Sequence, residues 1–215
     1  MSSTIKVNNI QNLAGDDSGI DLSTNDQIIL KTANTTAITV DSSQNVTLAG
    51  NLTVTGTASG VGGITMADQW RKTTDTSGTL EPITDLERVD TTGQGTIGTA
   101  MSVSSGIFTF PTTGIYLVKA TFNHALGGDS RYIFGFIQVT TDNSSYNTVA
   151  EADTSIHQSS STNYASGITE SLIDVTDTSN VKVRFSVTPI NSSVTTRGLS
   201  TQNYTHFTFI RLGDT

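Results

Sequence analysis

The chain has no cysteine, which excludes a disulfide framework, a thiolate metal site and a cysteine nucleophile. Basic residues are few. Eleven Lys and Arg stand against 19 Asp and Glu, a formal net charge of −8, whereas a nucleic-acid backbone needs a basic footprint. No stretch approaches the roughly 20 apolar residues that span a bilayer, and Met1-Ser2-Ser3-Thr4-Ile5-Lys6-Val7 carries no apolar signal core. These shortages predict no nucleic-acid partner and no membrane insertion. Only 34% of residues are hydrophobic and 14% charged. The Ser, Thr, Asn, Gln and Gly that fill the rest suit turn-rich β structure and not helices. One chain of this composition has a thin core, and oligomerisation is the direct way to bury more surface.

Catalytic motifs are missing too. There is no Gly-x-Ser-x-Gly elbow, P-loop or HExxH. The three histidines, His124, His157 and His206, are scattered, and a metal site needs convergence. No enzymatic activity and no cofactor are expected. The one metal alternative is calcium at Asp174 and Asp177, which flank a turn, against the plainer reading of solvated turn carboxylates. Trp70, in phase with Ile64 and Met66, reads as core; its neighbours Arg71 and Lys72 leave a sugar platform or cation–π pair as the other reading.

The chain is organised around residues 106–122. Phe108 and Phe110 share one strand face, and Tyr116, Val118, Ala120 and Phe122 share a face of a second strand. Pro111 cannot donate to a ladder and Gly114 tolerates positive φ, so a tight turn is expected between them, giving a hairpin. Ile115 and Leu117 are apolar on the opposite face, so the second strand is expected to be buried on both sides.

Phe108-x-Phe110-Pro111-x-x-Gly114-x-Tyr116-x-Val118 resembles the signature of the complement-globular-head and tumour-necrosis-factor-like family. Tyr204-Thr205-His206-Phe207-Thr208-Phe209-Ile210-Arg211-Leu212 resembles the family's last strand. The resemblance covers roughly residues 64–215 and implies a jelly-roll β-sandwich assembled as a homotrimer. Two-faced apolar strands, exceeding what one sandwich can bury, give Tyr116, Phe134, Phe136, Phe207 and Phe209 as the expected trimer core. The chain lacks the collagen-like repeat and cysteines of animal members and is more similar to distal domains of bacteriophage fibres and appendages.

The expected fold class is therefore all-β, an N-terminal arm and trimeric β stalk followed by a jelly-roll head. Residues 1–27 form the arm, with Ile5, Val7, Ile10 and Leu13 as a virion anchor. These suffice to pack against something but not to pack alone. Residues 28–57 carry four apolar pairs separated by polar turns: Ile28-x-Leu30, Ile38-x-Val40, Val46-x-Leu48 and Leu52-x-Val54. Three chains winding together could cover them, giving Ile38, Val40, Val46, Leu48, Leu52 and Val54 as a stalk core. Residues 58–63 are a Gly-rich hinge and residues 64–215 the head. Gly135, within an apolar strand, suggests close approach of another chain. Recognition is expected in polar head loops, chiefly 143–146, 153–164 and 191–201, on Asn143, Ser145, Tyr146, His157, Asn163, Tyr164, Asn191 and Arg197.

The expected function is that of a structural virion protein, a trimeric tail fibre or appendage. Its head would bind a host-surface receptor, glycan or protein. The alternatives are a capsid decoration or tail accessory protein without a receptor role and, more remotely, a fibre-borne polysaccharide depolymerase. The expected partners are two further copies, other virion proteins and the host surface.

Overall fold

The computed structural model describes residues 9–11, 19–21, 28–33, 35–53, 63–158 and 161–215. Those residues form strands and turns, with no helix among them. The chain divides into two compact units, Met1–Val61 and Gly62–Thr215.

The first unit is an antiparallel meander of β1 (Asn9–Gln11), β2 (Gly19–Asp21), β3 (Ile28–Thr32), β4 (Thr35–Val40) and β5 (Val46–Leu48). Its register sets Ile28 opposite Val40, Leu30 and Leu48 opposite Ile38, and Val46 opposite Val40. Three of the four apolar pairs thus line one face of a single chain's sheet. The polar tract between β4 and β5 is a capped turn: the Asp41 carboxylate accepts the backbone N–H of Ser43 and of Asn45, both at 2.9 Å. Val46, Leu48 and Leu52 are exposed. Ile10 falls on β1 opposite Ile20. Ile5, Val7, Leu13, Val54 and most of 58–63 lie outside the described residues.

The second unit begins with β6 (Met66–Lys72), β7 (Thr76–Ser77), β8 (Leu86–Arg88), β9 (Ser102–Ser104) and β10 (Ile107–Thr109). The long strands are β11 (Gly114–Leu126), β12 (Ser130–Thr140), β13 (Asn147–Ile156) and β14 (Asn163–Val175). β15 (Lys182–Pro189), β16 (Thr195–Thr196) and β17 (His206–Gly213) close it. A five-stranded sheet runs β13-β12-β15-β10-β9 and a seven-stranded one β7-β16-β11-β17-β6-β8, with β14 on β11.

The expected hairpin at Pro111–Gly114 is a crossover. β10 pairs with β9 and β15 in one sheet, whereas β11 pairs with β14, β16 and β17 in the other. The reason lies in the core. Phe108 and Phe110 point into it from one sheet, and Tyr116, Val118, Ala120 and Phe122 meet them from the other, all at most 1% exposed. Gly114 has φ 138° at the crossing.

Alternation positions the remaining core. Phe185 stacks on Phe207 at 3.7 Å between centroids, and Phe108 lies 5.0 Å from Phe209. Gly135 points inward, where an added Cβ would sit 2.4 Å from the Phe122 ring. The close approach expected there is therefore by the chain's own core phenylalanine and not by another chain. Trp70 is in the core, its indole N–H donating to Asp68 Oδ2 at 2.8 Å, and Arg88 stacks on it at 4.8 Å. Ile64, expected in phase with it, precedes the strand and is exposed. Arg71 and Lys72 form no sugar platform. Both are buried; Arg71 Nε and Nη2 meet Glu87 and Asp90 at 2.8 and 2.9 Å, and Lys72 pairs with Asp85. Burial of a cation requires such partners, so these pairs clamp the 73–91 segment onto β6.

Candidate functional site

β6 enters the head at the Gly63 end, so residues 127–129, 157–158, 161–162 and 190–205 all lie at the opposite end of the sandwich. β16 is drawn there by pairing with β11 at His124 and Ala125, and the Arg197 N–H donates to Asn123 O at 2.8 Å. This anchors the Arg197 side chain between two aromatic rings, 4.6 Å from Tyr164 and 3.8 Å from Tyr204. Its Nη1 donates to Asn123 Oδ1 at 3.1 Å, and Asn123 Nδ2 donates to Ser166 Oγ at 2.7 Å. Asn163 opens β14 opposite Leu126. Asp129 gathers two more expected residues: its Oδ1 faces His157 Nδ1 at 3.2 Å, and its carbonyl accepts Asn191 Nδ2 at 3.1 Å. His157, Asn163, Tyr164, Asn191 and Arg197 thus share one end.

Asn143, Ser145 and Tyr146 do not. They form the turn between β12 and β13, at the far end of an 11-residue strand, roughly 35 Å away. Asn143 adopts φ 56° and its N–H donates to Asn180 O at 3.1 Å. Asp142 accepts the N–H of Ser145 and of Ser144 at 2.8 and 2.9 Å and the Thr140 hydroxyl at 2.7 Å. Those bonds, Ser145's foremost, hold its carboxyl well below the usual range. Tyr146 lies under Arg184 at 4.2 Å. The eight expected recognition residues therefore fall into two groups that cannot contact one small ligand. The loop expected at 153–164 is also shorter, because β13 runs on to Ile156. Its buried Ala152 and Ile156 are small or isolated enough to be missed in a polar tract.

The two outer sheet faces differ. On the seven-stranded sheet, Leu117 of β11 stands between Leu172 of β14 and Ile210 of β17. Ile168 and Leu172 are 60% and 63% exposed, and Ile115, Leu117 and Ile210 are half-buried. Tyr116, Phe207 and Phe209, expected at a trimer axis, point the other way and are wholly buried inside one chain. The Phe-x-Phe-Pro-x-x-Gly-x-Tyr-x-Val pattern marks the inward residues of these strands, and their outward neighbours Ile115, Leu117 and Ile210 are the apolar side chains of the outer face. Phe134 and Phe136 are outward, but on the five-stranded sheet. They cannot share a threefold axis with Leu117 and Ile210, since the two faces point in opposite directions. Beside them, Glu151 and Asp153 are neighbours on β13, and their mutual hydrogen bond raises the Glu151 pKa.

His124 faces inward, 1% exposed, with Nδ1 3.3 Å from Thr196 Oγ1. Burial pushes its pKa down to about 4. His206 is on the outer face, its pKa also lowered chiefly by burial. Asp177 spends its carboxylate on its own turn, accepting the Ser179 N–H and Asn180 Nδ2, both at 2.7 Å. Among the described residues no three His, Asp or Glu converge as a metal site.

Two solved structures are similar to this chain in fold. Eiger TNF from S. frugiperda superposes with a TM-score of 0.53 at 14% identity, covering 71% of this chain and 95% of that one. Murine APRIL at pH 5.0 gives 0.50 at 14% identity, covering 68% and 98%. The head has a tumour-necrosis-factor-like jelly-roll fold. No protein-family model and no curated protein matches the sequence.

Proposed function

We propose that the chain is a structural protein of a bacteriophage virion, a homotrimeric tail fibre or appendage whose head binds a host-surface receptor, with glycan as the ligand class. The observation that carries the reading is the uncovered apolar row Leu172–Leu117–Ile210 on a jelly-roll head. An exposed apolar patch on an otherwise polar chain calls for a partner, and a threefold arrangement of identical heads covers all three rows at once. The uncovered apolar face of the β3–β5 meander makes the same demand, which a stalk of three chains meets. Ile5, Val7, Ile10 and Leu13 then serve as the anchor to other virion proteins. The end carrying Arg197, Tyr164 and Asp129–His157 offers stacking rings and hydrogen-bonding groups to a receptor.

Adsorption of the labelled full-length protein to a panel of bacterial cells tests this. A susceptible strain should bind it, and replacing 157–162 with a Gly/Ser linker should abolish binding while the oligomer persists. Absence of adsorption across strains that the parent particle infects would remove the receptor role.

A further inference from the structure

β12 presents Tyr132, Phe134 and Phe136 on the outer face of the five-stranded sheet. Tyr132 and Phe134 stack at 4.6 Å with planes 25° apart, and Phe136 follows Phe134 at 6.0 Å and 33°. The three rings form one row along the strand, roughly 14 Å from first Cα to last. Core packing does not explain them, because the inward positions Ile133, Gly135 and Ile137 already fill that role. The inward Gly135 is in turn what lets Phe122 pack beneath the row.

The register decides what flanks the rings. On β13, Asp153 stands opposite Phe134 and Glu151 opposite Phe136. On β15, Thr188 stands opposite Phe134 and Ser186 opposite Phe136. Carboxylates thus line one side of the row; on the other, Thr188 is half-buried, and Ser186 is buried with its hydroxyl donating to Gln138 Oε1 at 2.9 Å. A recess of about 350 Å³ beside Tyr132 and Phe134 is lined also by Arg131, Asp153 and Ser155. A second recess of about 350 Å³ shares Arg131 and Ser155 and continues to His157 and Asp129.

We infer that this row is a binding strip for a neutral glycan chain, lying along β12 with sugar rings on Tyr132, Phe134 and Phe136 and hydroxyls donating to Asp153 and Glu151. The inference rests on the glycan-binding reading of the head and assigns the contact to a sheet face and not to the end loops. A flat apolar surface with a few fixed polar groups is what an amphipathic ring ligand needs. Charge narrows the class: two carboxylates beside the rings, on a chain of net charge −8, repel a polyanionic glycan. A second copy of this chain, or an apolar peptide, would take Glu151 and Asp153 out of water with no partner beyond each other, which is costly. Sugar hydroxyls supply the partners.

The test is calorimetric titration of the full-length protein with short neutral hexose oligomers of α-glucan, β-glucan, galactan and mannan type, at low and high salt. At least one series should bind with little salt dependence. Tyr132→Ala and Phe134→Ala should each weaken it roughly tenfold or more, and Phe134→Trp should retain it. Tyr132 is exposed, so its variant keeps the test decisive should Phe134→Ala fail to fold. Binding untouched by both alanine variants but lost in Tyr164→Ala would overturn the strip and leave the glycan reading standing at the end loops. Cell adsorption with no neutral oligomer bound would likewise sink the strip alone, and loss of both would sink the receptor reading with it. Salt-sensitive binding of a cationic amino-sugar oligomer only would overturn the neutral class.

Discussion

His124 shows how one buried side chain couples stability to pH. Its folded pKa lies at about 4, whereas an unfolded chain protonates histidine near 6.5. Between these values the unfolded state binds more protons, so stability is complete above about pH 6.5 and falls as pH drops toward 4, by about 1.4 kcal/mol per unit. The whole effect is roughly 3 kcal/mol. Denaturant unfolding at about pH 7 and about pH 4.5 should therefore show a clear loss of stability, and His124→Gln should flatten it. His206 contributes in the same direction, so some slope remains. An unchanged slope in the variant would show that His124 is not the group responsible. Other single residues differ in how far the sequence discloses them. Trp70 was legible as core because it keeps strand phase with Met66. The burial of Arg71 and Lys72 was not, because Glu87, Asp90 and Asp85 reach them only after the 73–91 segment has folded back.

Strands follow the same division. The apolar pairs at 28–48 announced short one-faced strands, and the register then placed them on one sheet of one chain. That face is what the stalk reading requires to be covered between chains. Val46→Asp with Leu48→Asp would bring carboxylates into any such contact, at a cost of several kcal/mol if buried unpaired. Limited proteolysis should then cleave the first unit rapidly while the head resists. Equal resistance in variant and parent would mean that Val46 and Leu48 are not packed between chains. In the head, the break at Pro111–Gly114 was legible from its turn residues, but its path was not. A tight turn and a sheet-to-sheet crossing use the same residues, and only the pairing of β10 with β15 and of β11 with β17 separates them.

At the scale of the whole molecule, the two outer faces have different neighbours to find. The seven-stranded face presents aliphatic side chains and the five-stranded face presents aromatic rings with carboxylates beside them. Leu172 is 63% exposed in one chain, so Leu172→Asp leaves the sandwich intact while placing a charge in the proposed interface. Light scattering should give a trimer mass for the parent at micromolar concentration and a monomer for the variant. A parent protein that is a stable monomer would remove the homotrimer reading.

Composition, strand period and turn residues determined by themselves that the chain is all-β, that it carries an apolar β core around residues 108–122, and that its surface is acidic and polar. These are local properties: alternation assigns each side chain to one of two faces, and Pro or Gly marks where a strand stops. Which face meets which partner is a matter of pairing between distant segments. The sequence marked Tyr116, Phe207 and Phe209 as strongly apolar, but only the stacking of the two sheets decided that they are spent inside one chain. The same stacking sent Asn143, Ser145 and Tyr146 to one end and His157, Tyr164 and Arg197 to the other, because each long strand carries the chain the full length of the sandwich between one loop and the next.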